Sequence, residues 1–481
     1  MILADVIESL TGYQIEAPQL ISQVVIDSRA AQPGSLFVAL PGEQTDGHNF
    51  VAAAFRQGAI AALVHQAVEV CRPEQTLHVG QFAAGQPLPP SPFCLQVDDT
   101  LLALQQLAAF WRSKFSPRVI AVTGSVGKST TKELIWSVLS TRYHTLKSAG
   151  NQNNEIGLPL SLLKLEPSCE RAVLEMGMYD LGEIASLCAL ARPHIGVVTN
   201  VGPVHLERLG TMERITQAKS ELVQALPPAN EGGVAVLNYD DPRVRPMANL
   251  TSARVFTYGL SEAADLWASD VESAGLEGIR FAFHYQDDTI HARVPLLGRH
   301  SVHTALRAAA VGLVDGLAWE EIMTGLQSLP RSAQLRLVSV TGPNQSTLLD
   351  DTYNANPAST IAALNLLDDL AATKKIAVLG EMMELGSFEE EGHRKVGCRA
   401  ADVVDLLIAI GPRTRFLVAE ARACGLAASK ILEFDTNQLA IDYLNDTLAP
   451  GNIVLIKASL SRRMGEIVSA LAIQGEAAQK E

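Results

Sequence analysis

The stretch Arg118-Val-Ile-Ala-Val-Thr-Gly-Ser-Val-Gly-Lys-Ser-Thr-Thr-Lys-Glu133 constrains this chain more than any other part of it. An apolar run that reads as a buried strand gives way to a loop bracketed by Gly124 and Gly127. Leu134, Ile135, Val138 and Leu139 then recur at helical spacing. Strand, glycine loop and helix in that order make a phosphate cradle, because backbone N–H groups and the positive end of the helix dipole converge on one point. Lys128 is placed to bridge terminal phosphates, and the hydroxyl of Ser129 to hold Mg²⁺. Thr123, Gly124, Ser125, Val126, Gly127, Lys128, Ser129 and Thr130 are therefore the expected nucleotide-binding run, with ATP or GTP as the ligand. Val122 occupies the position where the longer P-loop pattern has its first glycine, so this is the shorter G-x-x-G-K-S form. A glycine turn that merely precedes a helix is the plain alternative.

At 481 residues the chain exceeds a single ordinary core, and two to four domains are expected. A net charge of −14 argues against nucleic acid or an anionic membrane as a partner, so any anionic substrate must be met by local cations. The six cysteines contain no C-x-x-C pair, which suggests neither a zinc knuckle nor a disulfide framework and fits a reducing cytosol. Asp5 and Glu8 sit where a signal peptide would need positive charge, and no stretch is apolar enough to span a membrane. A soluble, unexported protein is expected.

Gly80 to Pro92 is rich in glycine and proline and marks a first boundary. A helix from Leu101 to Trp111 leads into the phosphate loop, and strands are predicted at 172–174, 195–199 and 234–237 with helical segments between them. From Gly278 to Val294 the period changes to two across Gln-Asp-Asp-Thr, which predicts an antiparallel hairpin. A second α/β series follows Pro330, with strands near 347–349, 376–379, 406–410 and 453–456. The reading is an α/β protein of three domains, at 1–92, 93–328 and 329–481, the central one a P-loop parallel sheet with an appended hairpin. Gly124 to Ser129, Glu175, Asn200 to His205, Asp350 to Asn356, Glu381 and Lys457 to Ser459 all fall just past a predicted strand, where open α/β sheets bind ligands.

Glu175 sits at a strand end beside small or apolar neighbours, where an unpaired carboxylate is costly and Mg²⁺ would relieve the cost. His205 is a candidate second ligand; taken alone, each residue serves structure as readily as function. Lys219 reads from sequence as a solvated helix lysine. Asn151 to Gly157 offers several amides or simply a polar turn. Leu349-Asp-Asp-Thr-Tyr-Asn-Ala-Asn-Pro357 packs two carboxylates, a phenol and two amides into nine positions, more than a helix cap requires.

Together these residues resemble the Mur ligases, the ATP-dependent enzymes of peptidoglycan synthesis. The resemblance rests on Asp27-Ser-Arg29, Asp46-Gly-His48, the short phosphate loop, Gly150-Asn-Gln-Asn-Asn-Glu-Ile-Gly157 and Glu175. It continues through Asn200 with His205, Lys219, Asp351-Thr-Tyr-Asn-Ala-Asn-Pro357 and Val378-Leu-Gly-Glu-Met-Met-Glu-Leu-Gly386. These motifs run in order over nearly the whole chain. The Tyr-Asn-Ala-Asn-Pro element points to the branch that joins D-alanyl-D-alanine to UDP-N-acetylmuramoyl-tripeptide.

The resemblance implies a UDP-sugar-binding N-terminal domain, a Rossmann-like C-terminal domain, a bacterial cytoplasmic setting and a monomer. It implies ATP, two Mg²⁺ ions held by Ser129, Glu175, His205 and Lys219, and a carbamylated Lys219. Lys128, Lys219, His205, Asp351 and Arg336 become catalytic candidates. Asn153, Asn154 and His300 join the nucleotide side, while Asp27, Ser28, Arg29, Asp46, His48, Tyr353, Asn354, Asn356 and Lys457 join the substrate side. The chain departs from the family at His300-Ser-Val-His-Thr304, where a His-Asn pair and a second asparagine are usual. It departs again at Lys457-Ala-Ser-Leu460, where Lys-Gly-Ser-Arg is common; Arg462 or Arg463 is the substitute considered there. Rival readings are a folylpolyglutamate synthase, which lacks a separate UDP-sugar module, and a nucleotide-gated binding protein that performs no ligation.

Overall fold

The computed structural model describes residues 1–42, 45–328 and 337–473. The chain divides into two compact units. The first holds Met1–Ile120, His144–Gly177 and Glu183–Pro193; the second holds Ala121–Tyr143, Met178–Gly182 and the chain from His194 onward.

In the first unit, five short strands form a wholly parallel sheet in the spatial order Val24–Val25, Leu36–Val38, Ala61–Val64, Phe93–Gln96 and Thr76–His78. Successive strand side chains point to opposite faces, so one segment can supply two cores. Leu36 and Val38 join Leu63 and Leu95 under the helices Leu3–Thr11 and Thr100–Ser113, while Phe37 and Ala39 join Ala62, Val64 and Cys94 under Val51–Arg56. Burial on both faces explains why these strands read as unbroken apolar runs. The helix Thr100–Ser113 starts where the Asp99 carboxylate accepts the N–H groups of Leu101 and Leu102. The strands Thr145–Lys147 and Arg171–Glu175 also pair in parallel in this unit.

In the second unit, the strands Ile195–Val198, Val234–Asn238, Arg254–Gly259 and Leu266–Ser273 run parallel. The predicted hairpin exists as Ile279–Tyr285 and Asp288–Val294, with Gln286 at positive φ in its two-residue turn. It also pairs antiparallel with Leu266–Ser273, itself parallel to Arg254–Gly259, so the hairpin is appended to the sheet as expected. A six-stranded sheet follows in the order Val338–Thr341, Thr347–Asp351, Asn452–Lys457, Lys374–Gly380, Leu406–Ile410 and Ile431–Phe434, parallel except for its first strand. Leu349, Leu379, Leu407 and Leu455 face one core and Leu348, Val378, Ile408 and Val454 the other. The two outer strands escape the sequence reading because their burial is only partial.

The cysteine expectation is overturned. Cys71 is bonded to Cys94 and Cys398 to Cys424, with Cα–Cα distances of 6.1 and 5.3 Å, while Cys169 and Cys188 are buried thiols. A search for adjacent cysteines misses these pairs because the partners lie 23 and 26 residues apart and only the packing of their elements unites them. Among the described residues, no helix is long and apolar enough to cross a membrane.

Candidate active site

The strand Arg118–Thr123 delivers the chain into the loop, and the helix Lys128–Leu139 leaves it. Gly124 has φ +143°, and a Cβ there would fall 1.9 Å from Thr199 Oγ1; Gly127 has φ +84°. Both glycines are thus required by backbone geometry and, at Gly124, by space. Asn200 clasps the loop: its carbonyl accepts the Ser125 N–H, its Oδ1 accepts the Val126 N–H, and its Nδ2 donates to the Val126 carbonyl. Thr199 Oγ1 donates to the same carbonyl at 2.7 Å. Two loop amides are therefore spent on shaping the loop, which leaves the first turn of the following helix to meet an anion. Lys128 Nζ donates to the Gly124 carbonyl at 2.8 Å, folded back over the loop.

Lys219 corrects the sequence reading most sharply. It belongs to the helix Met212–Gln224, yet it is 2% exposed. Burial, followed by the nearby charge of Lys128, pushes its amine well below the ordinary lysine range. His205, at φ +54°, brings Nδ1 to 2.6 Å from Glu384 Oε2, and its ring meets Tyr179 edge-on. Glu384 lies in the loop after the strand Lys374–Gly380 and is held below the usual carboxylate range, first by His205.

The strand Thr347–Asp351 ends in two different carboxylates. Asp350 Oδ1 accepts from both the N–H and the hydroxyl of Thr352, forming a local turn. Asp351 Oδ2 pairs with Lys457 Nζ at 2.5 Å, both side chains buried, while its Oδ1 is buried without a hydrogen-bond partner. Lys457 Nζ also donates to the Asn354 carbonyl. Asn356 caps the helix Pro357–Asp369 by accepting the Ser359 N–H, so part of this dense motif is a cap after all. Asn354 is exposed and Tyr353 half-buried.

A cavity of about 360 Å³ opens between the phosphate loop and the strand ends of the six-stranded sheet. It gathers Val126, Gly127, Thr130, His300, Asp351, Asn356 and Lys457 from the expected set. It also gathers Asn200, a strand-end position and family sign, His303 and Thr304 from the departing His300–Thr304 segment, and Arg307, which the sequence reading gave no role. Asn200 carried a signal, its place at a strand end; Arg307 sits inside a helix and carried none. Desolvation, then the charges of His303, Lys457 and Arg307, lowers His300 to about 4. Water at its exposed edge moderates the effect, but the direction leaves the ring neutral near pH 7. Lys128, Ser129, Lys219 and His205 belong to the same unit without lining the cavity.

Glu175, Asn153, Asn154, Asp27, Ser28, Arg29, Asp46 and His48 lie in the first unit. Glu175 is 2% exposed; Oε1 accepts from Asn153 Nδ2 at 2.8 Å, while Oε2 is buried without a hydrogen-bond partner. An orphaned buried carboxylate oxygen fits a cation ligand. Asn154 accepts the Gly157 N–H and so shapes its own turn. Asp27 caps the turn Ser28–Ala30 and holds the exposed Arg29 through two parallel contacts. His48 is fixed from both sides: its Nε2 accepts the His65 N–H, so the proton sits on Nδ1, facing Asp46 at 2.6 Å. Arg336 lies outside the described residues. Arg462 stands with Nε 3.3 Å from Glu381 Oε2, an ion pair inside its own domain.

Fold and site define a phosphate-loop α/β protein whose loop faces a cavity completed by a second parallel sheet. Three family profiles match in sequence: "Mur ligase family, catalytic domain" at 20–112, "Mur ligase middle domain" at 122–312 and "Mur ligase, glutamate ligase domain" at 335–460. The UDP-N-acetylmuramoyl-tripeptide–D-alanyl-D-alanine ligase of Bacillus subtilis is 36% identical over 94% of this chain and 93% of its own length. The enzyme of that name from Escherichia coli is 33% identical over 98% of both. The chain belongs to the Mur ligase family. Its fold is similar to crystal structures of MurF from Acinetobacter baumannii (TM-score 0.81, 29% identity, 97% of both chains) and from Thermotoga maritima in complex with ADP (TM-score 0.77, 27% identity, 96% and 97%).

Proposed function

We propose that this protein is an ATP-dependent amide ligase that joins D-alanyl-D-alanine to UDP-N-acetylmuramoyl-tripeptide. The observation that carries the reading is the cavity in which the phosphate loop meets the Asp351–Lys457 pair, in a chain similar over nearly its whole length to ligases of that name. The tripeptide's terminal carboxylate attacks the γ-phosphate of ATP to give an acyl phosphate and ADP. The amine of D-alanyl-D-alanine then displaces phosphate and forms the amide. Such a reaction gathers several anions at one point, so positioning and fixed positive charge supply most of the catalysis.

Lys128 neutralises charge on the phosphates, while Asp351 and Lys457 bound the far wall of the cavity. Ser129, Glu175, His205 and Lys219 are the residues that would hold Mg²⁺, which would offset the charge of the reacting phosphates. The orphaned Glu175 Oε2 supports that assignment. A buried amine held below its usual range sheds its proton more readily than a solvated lysine, which favours capture of CO₂ by Lys219 as a carbamate. Asp27, Ser28, Arg29, Asp46 and His48 engage the UDP-sugar, Asn153 and Asn154 frame the nucleotide side, and Tyr353, Asn354 and Asn356 stand near the dipeptide. Domain limits at 1–92, 93–328 and 329–481 accompany this reading, as do a monomer and a bacterial cytoplasmic setting. The cystines withdraw the cysteine argument for that setting, which then rests on the substrates alone.

The test is phosphate release with ATP and Mg²⁺, omitting each substrate in turn, with the pentapeptide product identified by mass. Release that needs both substrates is expected. Release independent of both would favour a nucleotide switch, and glutamate addition to a folate would favour the folylpolyglutamate reading.

A further inference from the structure

Arg307 is a cation in the cavity wall with no anion to face. It lies on the helix Val302–Val314, is 4% exposed, and donates through Nη2 to Thr304 Oγ1 at 2.7 Å. Its guanidinium carbon stands 5.9 Å from the Tyr258 ring centroid, and its Nε is buried without an acceptor. Among the described residues no carboxylate pairs with it. Asp240 is committed to His303 at 2.8 Å, and Asp241 to the N–H groups of Val201, Arg243 and Val244. A buried, uncompensated guanidinium is costly, and the cost falls when an anion arrives. Its position says which anion: a Cβ on Gly127 would fall 3.3 Å from Nη2, so the group lies directly against the second glycine of the phosphate loop.

We propose that Arg307 contacts the phosphate chain of the bound nucleotide, supplying beside Gly127 a second fixed positive charge in addition to Lys128. Thr304 and Tyr258 hold the planar group in place, and its remaining donors suit the oxygens of a phosphate. The proposal rests on the ATP-dependent reading above and adds to it a residue that no motif marks.

The test is calorimetric binding of ADP and of adenosine to the full chain and to Arg307→Gln, which keeps a donor for Thr304 and removes the charge. ADP is expected to bind at least tenfold more weakly, with adenosine binding unchanged and the ligand-free melting temperature no lower than that of the wild type. Unchanged ADP affinity would overturn the proposal, as would an equal loss for adenosine, which would make Arg307 a shaper of the cavity. Should the glutamine variant fail to fold, Arg307→Lys decides: ADP binding kept within about threefold supports a charge contact, and its loss refutes one. Failure of ADP to bind the wild-type chain would instead remove the ATP-dependent reading beneath the proposal.

Discussion

Three lysines in this chain illustrate how little a residue type reveals before its surroundings are known. Lys128 is marked by its loop, and Lys128→Ala is expected to slow phosphate release by at least a hundredfold, or about 3 kcal/mol of barrier, with the fold intact. Lys219 reads as a surface residue and is buried. Its amine is lowered well below 10.5, so between that lowered value and 10.5 the unfolded chain binds a proton that the native chain does not. Stability therefore rises with pH across that window, and Lys219 weighs against folding at its lower end. Lys219→Met should gain stability over the wild type at pH 7 in CO₂-free buffer, and the gain should shrink by pH 10. Urea titrations at both pH values check this, and a pH-independent difference would refute it. Lys457 is spent on Asp351. Asp351→Asn is therefore expected to harm both turnover and folding. Removing one member of a buried pair costs about 3 kcal/mol, readable as a lowered denaturation midpoint.

Elements place these residues through backbone geometry. The loop holds its shape because Gly124 leaves room for Thr199, and Asn200 pins its two middle residues. Gly124→Ala should lose ADP binding and about 2 kcal/mol of stability, since the new methyl meets Thr199 Oγ1 at a φ that alanine rarely adopts. Wild-type melting and affinity in that variant would mean that the loop tolerates another shape. The segment Glu381 to Gly386, legible in the sequence as a strand end and a family sign, proves to be a contact element. Glu384 reaches His205, and Gly386, at φ +52°, lies so close to Glu207 that a Cβ would come within 2.9 Å of its N–H nitrogen. Helix and strand periods reveal elements and their buried faces, but not which distant loop a given loop will touch.

At the scale of the whole molecule, the strand-end rule carried furthest. Thr123, Glu175, Asp351, Gly380 and Lys457 all close strands, as their positions after apolar runs imply. The cysteines show the opposite case. Thiol titration of the unfolded, unreduced protein is expected to find two free thiols, Cys169 and Cys188, and six would mean that the other four are neighbours without bonds. By itself the sequence determined the α/β class, the phosphate loop, both parallel series and the hairpin, because glycine requirements and hydrophobic period are local properties of the chain. Tertiary structure alone decided that Lys219 is buried, that Asp351 faces Lys457 and that Arg307 lies under Gly127. Burial and charge pairing are properties of the space between elements, and that space has no sequence signature until the sheets are packed.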